Sequence, residues 1–288
     1  MNALAPAGRI APQPWMTEPA TRAVLDALAA GGVEARFVGG AVRDALLCHP
    51  IVDIDLATPA APEQVIALLR ERGLKVVPTG LAHGTVTAVV PPRHFEITSL
   101  RRDVETDGRH ARVAFGADWA ADAARRDFTI NAIFLARDGT LYDPVGGLAD
   151  LAAGRVRFVG DPAARIAEDV LRLLRYYRFE ARFGKDGGDA AARAACRAAA
   201  PLLPTLSAER IAQEVLRLLA AANPVPALRM MREDGVLVAV LPEARRLDRL
   251  EHLVALAPDG DALLRLAALV AVDAAGAAAL AERLRLSN

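Results

Sequence analysis

The chain has 288 residues, enough for two domains of ordinary size, and a hydrophobic fraction of 53% that can fill real cores although only 5% is aromatic. Its 35 basic and 35 acidic residues cancel, which by itself argues neither for nor against an RNA partner. The two cysteines, Cys48 and Cys196, lie far apart and exclude a disulfide framework or a CxxC zinc site, and no secretory signal or membrane span is visible; a cytoplasmic protein with no membrane contact is expected.

In chain order, four prolines between Pro6 and Pro19 mark an irregular leader, and helix signals run from Thr21 to the Gly31-Gly32 break. Ala35–Val38 follows as a short buried strand, then Gly39-Gly40 and a helical AVRDALL, then a strand carrying Asp53-Ile54-Asp55-Leu56. Pro62 opens an amphipathic helix that Gly73 stops, and strands are expected at Lys75–Val77, Thr85–Val90 and His94–Thr98. This alternation predicts an α/β (α+β) domain with a mixed sheet. From Asp161 the character changes: Pro162 begins one long helix expected to reach Phe183, and helices punctuated by Pro201, Pro204, Pro224 and Pro242 follow. The stretch from Ala262 to Leu284, apolar but interrupted by Arg265, Asp273, Glu282 and Arg283, reads as a core helix. The expected organisation is a leader and first helix over 1–30, a head over 31–160 and an all-helical part over 161–288. The end just after a helical pattern suggests a longer parent protein.

The chemistry gathers in the first half. Asp53 and Asp55 are two apart on a strand and project from one face, as a pair able to hold Mg²⁺ with phosphate and water completing its shell. Glu96 adds a third acid, because Phe95 and Ile97 on either side call for the opposite face and a core; an ion pair of Glu96 with Arg101 or Arg102 is the alternative. Gly39-Gly40 before a helix lets backbone N–H groups approach an anion, with Arg43 one turn further on. Asp44 suits either a helix-start charge or an arginine's partner.

These segments form a pattern. VGGAVRDALL followed by DIDLAT resembles the first motif of the class II (bacterial and eukaryotic) tRNA nucleotidyltransferases and bacterial poly(A) polymerases, in the DNA polymerase β superfamily. The resemblance continues in order through RRDFTINAIF (125–134), DPVGGLADLAAGRVRFVGDP (143–162), EDVLRLLRYYRFEARFG (168–184) and LSAERIAQE (206–214). It implies a nucleotidyltransferase head followed by a helical neck and body, acting on a tRNA 3′ end with CTP and ATP to add C, C and A; poly(A) addition or CC-only or A-only addition is the alternative. It further implies that Asp53 and Asp55 ligate Mg²⁺ with Glu96 completing the acids, that Gly39, Gly40, Arg43 and Arg126 contact the triphosphate, and that Asp127 and Asn131 address the ribose. Asp169 and Arg172 would face the incoming base with Arg175 and Arg178 nearby, and residues 101–115 would be a flexible loop for the change from C to A.

The base-reading pair also follows from chemistry. An aspartate only accepts hydrogen bonds and an arginine only donates. Cytosine and adenine each present an amino donor beside a ring-nitrogen acceptor, whereas guanine and uracil present the reverse. Asp169 and Arg172, three apart on one helix face, therefore suit C and A, with Glu168 placed to brace Arg172.

Overall fold

The computed structural model describes residues 4–81, 84–107, 110–185 and 187–286. The chain divides into two compact units, 1–151 and 152–288. Residues 152–160, expected with the head, cluster with the helical unit, where Phe158 is buried and stacks on Tyr176 at 5.7 Å.

In the first unit the strands are β1 (Gly8–Arg9), β2 (Arg36–Val38), β3 (Ile54–Thr58), β4 (Lys75–Gly80), β5 (Thr85–Val90), β6 (Arg93–Ser99), β7 (Arg101–Asp107), β8 (His110–Phe115), β9 (Phe134–Leu135) and β10 (Thr140–Tyr142). The helices are α1 (Pro14–Thr17), α2 (Pro19–Ala30), α3 (Gly40–Leu46), α4 (Pro62–Glu71), α5 (Trp119–Ala124) and α6 (Gly147–Ala153), the last crossing into the second unit. Among the described residues eight strands form one sheet in the order β1-β10-β9-β2-β3-β6-β5-β4, with only β3 and β6 parallel, so the sheet is mixed as expected.

Registers across this sheet set two opposite faces. Phe37, Leu56, Ile97 and Val86 lie in one row and are all at most 1% exposed, a core row on which Trp15 packs edge-on at 4.7 Å from Phe37. One residue along, Tyr142, Phe134, Val38, Asp55, Glu96 and Thr87 form the row on the other face. Because successive strand residues alternate, burying Ile54, Leu56, Phe95 and Ile97 obliges Asp55 and Glu96 to face away from that core.

The leader is more ordered than its prolines suggest: β1 pairs with β10, and the Trp15 carbonyl accepts the Thr21 hydroxyl at 2.7 Å. Within residues 101–115, expected as a loop, β7 and β8 pair antiparallel from Arg101↔Phe115 to Asp107↔His110, and residues 108–109 lie outside the described residues.

The second unit is helical: α7 (Pro162–Glu168), α8 (Leu171–Phe183), α9 (Ala190–Ala199), α10 (Ala208–Leu219), α11 (Val225–Glu233), α12 (Val236–Val240), α13 (Leu247–Leu256), α14 (Ala262–Leu269) and α15 (Ala274–Arg283). Two expectations need correcting here. The helix from Pro162 to Phe183 is broken at Asp169, whose backbone is extended (φ −153, ψ 108) and whose carboxylate accepts the Leu171 N–H at 3.1 Å, so that Asp169 starts α8 instead of continuing α7. The stretch from Ala262 to Leu284 is two helices, because Val270 turns extended and Asp273 caps α15 through the Gly276 N–H. Among the described residues no helix is long and apolar enough to cross a membrane.

Candidate active site

Asp55 stands on β3 directly opposite Glu96 on β6. Asp53 lies one residue before β3, on the same side by alternation, with its carboxylate 3.6 Å from His94 and largely exposed. Burial, then the negative charges of Glu96 and Asp53, push the Asp55 carboxyl up from 3.8 to about 6, against the opposing pull of Arg126 and Arg43. A carboxylate held this high among other acids is short of positive charge. Among the described residues no three His, Cys, Asp or Glu side chains gather closely enough to hold an ion alone. The three acids share a face without closing a cage, so any cation there takes further oxygens from phosphate or water.

Beside Asp55 the chain turns sharply into α3. Gly39 adopts φ 73 and ψ −134, a conformation nearly confined to glycine, and a Cβ there would stand 3.3 Å from the Asp55 Oδ2 atom. Glycine thus brings the backbone up against the carboxylate and leaves the first N–H groups of α3 facing the same side.

Arg43 is 6% exposed and donates to Asn131 Oδ1 at 2.6 Å and to both oxygens of its neighbour Asp44 at 3.0 Å. Asn131 in turn donates to Asp127 at 3.1 Å. Asp44 is thereby an arginine's partner, and Asp44, Arg43, Asn131 and Asp127 form one chain of charge-assisted bonds. This explains why VGGAVRD and RRDFTINA belong together although 88 residues separate Arg43 from Asn131. The DPVGGLADL segment supports the same turn. Asp143 accepts the Gly147 and Leu148 N–H groups, Asp150 accepts the Thr129 hydroxyl at 2.6 Å, and a Cβ on Gly147 would meet the Thr129 carbonyl at 2.1 Å.

In the helical unit, Asp169 accepts from Arg210 at 2.7 Å, and Arg172 donates to Glu168 and to the Arg165 carbonyl. The two are not on one helix as expected, since the chain breaks at Asp169. They project instead from the junction of α7 and α8, and the expected brace by Glu168 is present. Arg178 donates to the buried Glu214 at 2.6 Å, and Arg175 and Arg178 both lie against the Phe179 ring. Sequence reading missed Arg210 and Glu214. They sit four apart in LSAERIAQE, on the one face of α10 that meets α8, and that spacing was the available signal.

Comparison with known proteins bears on this arrangement. Residues 35–157 match the model of the poly A polymerase head domain, and residues 189–247 match a probable RNA and SrmB-binding site of polymerase A. The mitochondrial CCA tRNA nucleotidyltransferase 1 of Danio rerio is 44% identical over 206 residues, 70% of this chain and 48% of that protein. A CCA-adding enzyme of Leuconostoc citreum is 43% identical over 198 residues, 68% of this chain and 48% of that one. The chain belongs to the class II CCA-adding nucleotidyltransferase family. The CCA-adding enzyme of Bacillus stearothermophilus in complex with CTP superposes with a TM-score of 0.71 at 34% identity, over 83% of this chain and 58% of that one. The chain spans about half the length of the curated relatives it matches. Membership implies a divalent metal. Asp55, its carboxyl raised by burial and by the charges of Glu96 and Asp53, fits one with Asp53 beside it.

Proposed function

We propose that this class II family member adds C, C and then A to the 3′ end of tRNA from CTP and ATP, in a cytoplasm-like reducing compartment. The observation that supports this best is the pairing of Asp55 with Glu96 on the acid-bearing face of the head's sheet, against the Gly39 turn. In the reaction the RNA 3′ oxygen displaces pyrophosphate from the α-phosphorus of the incoming nucleotide, and most of the catalysis is positioning and charge stabilisation. Asp53 and Asp55 would hold Mg²⁺, whose chemistry there is to offset charge on the attacking oxygen and the leaving pyrophosphate. Gly39, Gly40 and the start of α3 offer N–H groups to the triphosphate, and Arg126 adds a guanidinium. Arg43 works one step back, fixing Asn131 and Asp127 for the ribose.

Asp169 and Arg172 would then read the base. Both are prearranged: Asp169 by Arg210 and its own cap to α8, Arg172 by Glu168. Reading by fixed groups discriminates better, because a mismatched base leaves a donor or acceptor unpaired. A good hydrogen-bonded base contact is worth about 1–3 kcal/mol of discrimination. Asp169→Ala should therefore relax selectivity by roughly tenfold to a hundredfold. The check supplies tRNA lacking its terminal CCA with one nucleotide at a time. The wild type is expected to take CTP and refuse UTP and GTP, and the variant to admit UTP or GTP. A variant that loses activity while keeping strict selectivity would make Asp169 a structural residue, and a wild type that extends the RNA with ATP alone into a long tail would favour poly(A) synthesis.

A further inference from the structure

We propose that Asp122 is a positioning residue for nucleotidyl transfer: its buried carboxylate fixes the Arg126 guanidinium on the acid-bearing face of the head's sheet, ready for phosphate. The proposal rests on the nucleotidyltransferase reading of the head.

Asp122 lies on α5 and is 1% exposed, and a carboxylate so placed needs charged partners. It has two. One oxygen takes Arg125 through Nε at 2.8 Å and through Nη2, and the other takes Arg126 through Nε at 3.1 Å and Nη2 at 2.8 Å. The two guanidiniums override the upward push of burial and hold the Asp122 carboxyl below the usual carboxylate range. One carboxylate between two arginines leaves one positive charge in surplus. It also orients Arg126 side-on, engaging Nε and Nη2 in a planar fork and leaving the Nη1 edge without a hydrogen bond to another described residue.

The direction of that edge follows from the sheet. The Arg126 guanidinium lies 5.5 Å from the centre of the Phe134 ring. Phe134 is in register with Val38, and Val38 with Asp55, so Arg126 stands over the acid-bearing row two strands from Asp55. At the usual spacing between strands that is about 10 Å, close enough for its charge to oppose protonation of Asp55. The mount is rigid. Trp119, the first residue of α5, is 4% exposed, packs edge-on against the same Phe134 ring at 5.1 Å and is covered by the Arg36 guanidinium at 4.1 Å. Asp118 caps the helix through the Ala120 and Ala121 N–H groups. Without Asp122, two adjacent and mostly buried guanidiniums would repel each other, and Arg126 would have no fixed attitude.

The test compares wild type, Asp122→Asn, Arg125→Gln, Arg126→Ala and the Asp122→Asn/Arg126→Ala pair, in kcat/KM for CTP on tRNA lacking CCA and in CTP binding by calorimetry with Mg²⁺. Asp122→Asn is expected to lower kcat/KM by about 10- to 100-fold, the usual effect of removing a residue that orients a functional group. In the Arg126→Ala background the same change should cost less than about twofold, because the residue it positions is gone. Arg125→Gln should stay within about twofold of wild type, since it spares the contact with Arg126. If Arg125→Gln reproduces the Asp122→Asn loss, or if the Asp122 and Arg126 losses multiply, Asp122 is merely a staple and the proposal is overturned. Should Asp122→Asn fail to fold, Asp122→Glu, which keeps the charge but shifts it by one methylene, must show a smaller loss that also vanishes in the Arg126→Ala background. An inactive wild type that binds CTP, with affinity falling in Asp122→Asn and Arg126→Ala alike, would sink the transfer reading and leave the positioning role intact.

Discussion

Asp55→Asn is expected to reduce nucleotide addition by about a hundredfold to a thousandfold, the scale on which removing a group central to transition-state charge acts, and at the same time to make the protein more stable. The second half of that expectation separates a functional residue from a structural one. The Asp55 carboxyl is held near 6 in the folded chain by burial, Glu96 and Asp53, against 3.8 for an ordinary aspartate. A group whose folded pKa is raised stabilises the fold in its protonated form. That contribution is fully present below about pH 4 and is lost as pH rises through 6, so at pH 8 the ionised Asp55 costs about 2 kcal/mol, some two thirds of the roughly 3 kcal/mol the full shift is worth, because water still reaches the site. Asn keeps the shape without the charge. In metal-free buffer the variant should melt higher than wild type at pH 8 and at the same temperature near pH 4. Addition of Mg²⁺ should narrow the gap at pH 8 by stabilising only the wild type. A variant that melts lower than wild type at pH 8 would mean that Asp55 is a structural partner in an ion pair and not an acid waiting for a cation.

The largest stability effect is expected in the helical unit. Arg265 on α14 is 1% exposed and has no acidic partner among the described residues; its guanidinium donates instead to the carbonyls of Leu219 at 2.6 Å, Ala221 at 2.5 Å and Pro258 at 2.5 Å. Leu219 ends α10, so a cation here meets the negative end of a helix and satisfies carbonyls that no further turn would reach. Arg265→Met removes the charge but strands these acceptors in the interior. The loss should be about 3 kcal/mol after the relief from burying a charge is counted, equivalent to about 10 °C in the melting of a unit of this size. Arg265→Lys should recover little, because a single ammonium cannot span three carbonyls as a planar fork does. Circular dichroism at 222 nm against temperature measures this directly, and a Met variant melting within about 2 °C of wild type would mean that water satisfies those carbonyls instead.

The sequence made the site legible where chemistry follows a strict period. Ile54 and Leu56 against Asp55, and Phe95 and Ile97 against Glu96, were enough to put the two acids on one face, because a strand has only two faces to choose from. Helix continuity was harder to read. Nothing in EDVLRLL breaks a helical pattern, and only the folded chain reveals that Asp169 prefers to cap α8 with its own carboxylate and to meet Arg210. The same local competition by Asp273 divides the stretch from Ala262 to Leu284. Residues that act through others were the least visible. Asp122, Asp150, Arg210 and Glu214 have no chemistry of their own to announce, and their meaning lies in partners that folding brings alongside. The leader's prolines do forbid long elements, yet two residues are enough for β1 to extend the sheet beside β10, a pairing that no local pattern announces.

If the acid-bearing head and a nucleotide-selecting helical unit act together as proposed, the mass of a single product reveals it. A tRNA transcript ending before its CCA is incubated with the protein, Mg²⁺ and all four nucleoside triphosphates, and its intact mass is measured. The expected result is a gain of two cytidylates and one adenylate, and then no further growth. An unchanged mass, a ladder of adenylates, or incorporation of uridylate or guanylate would contradict it.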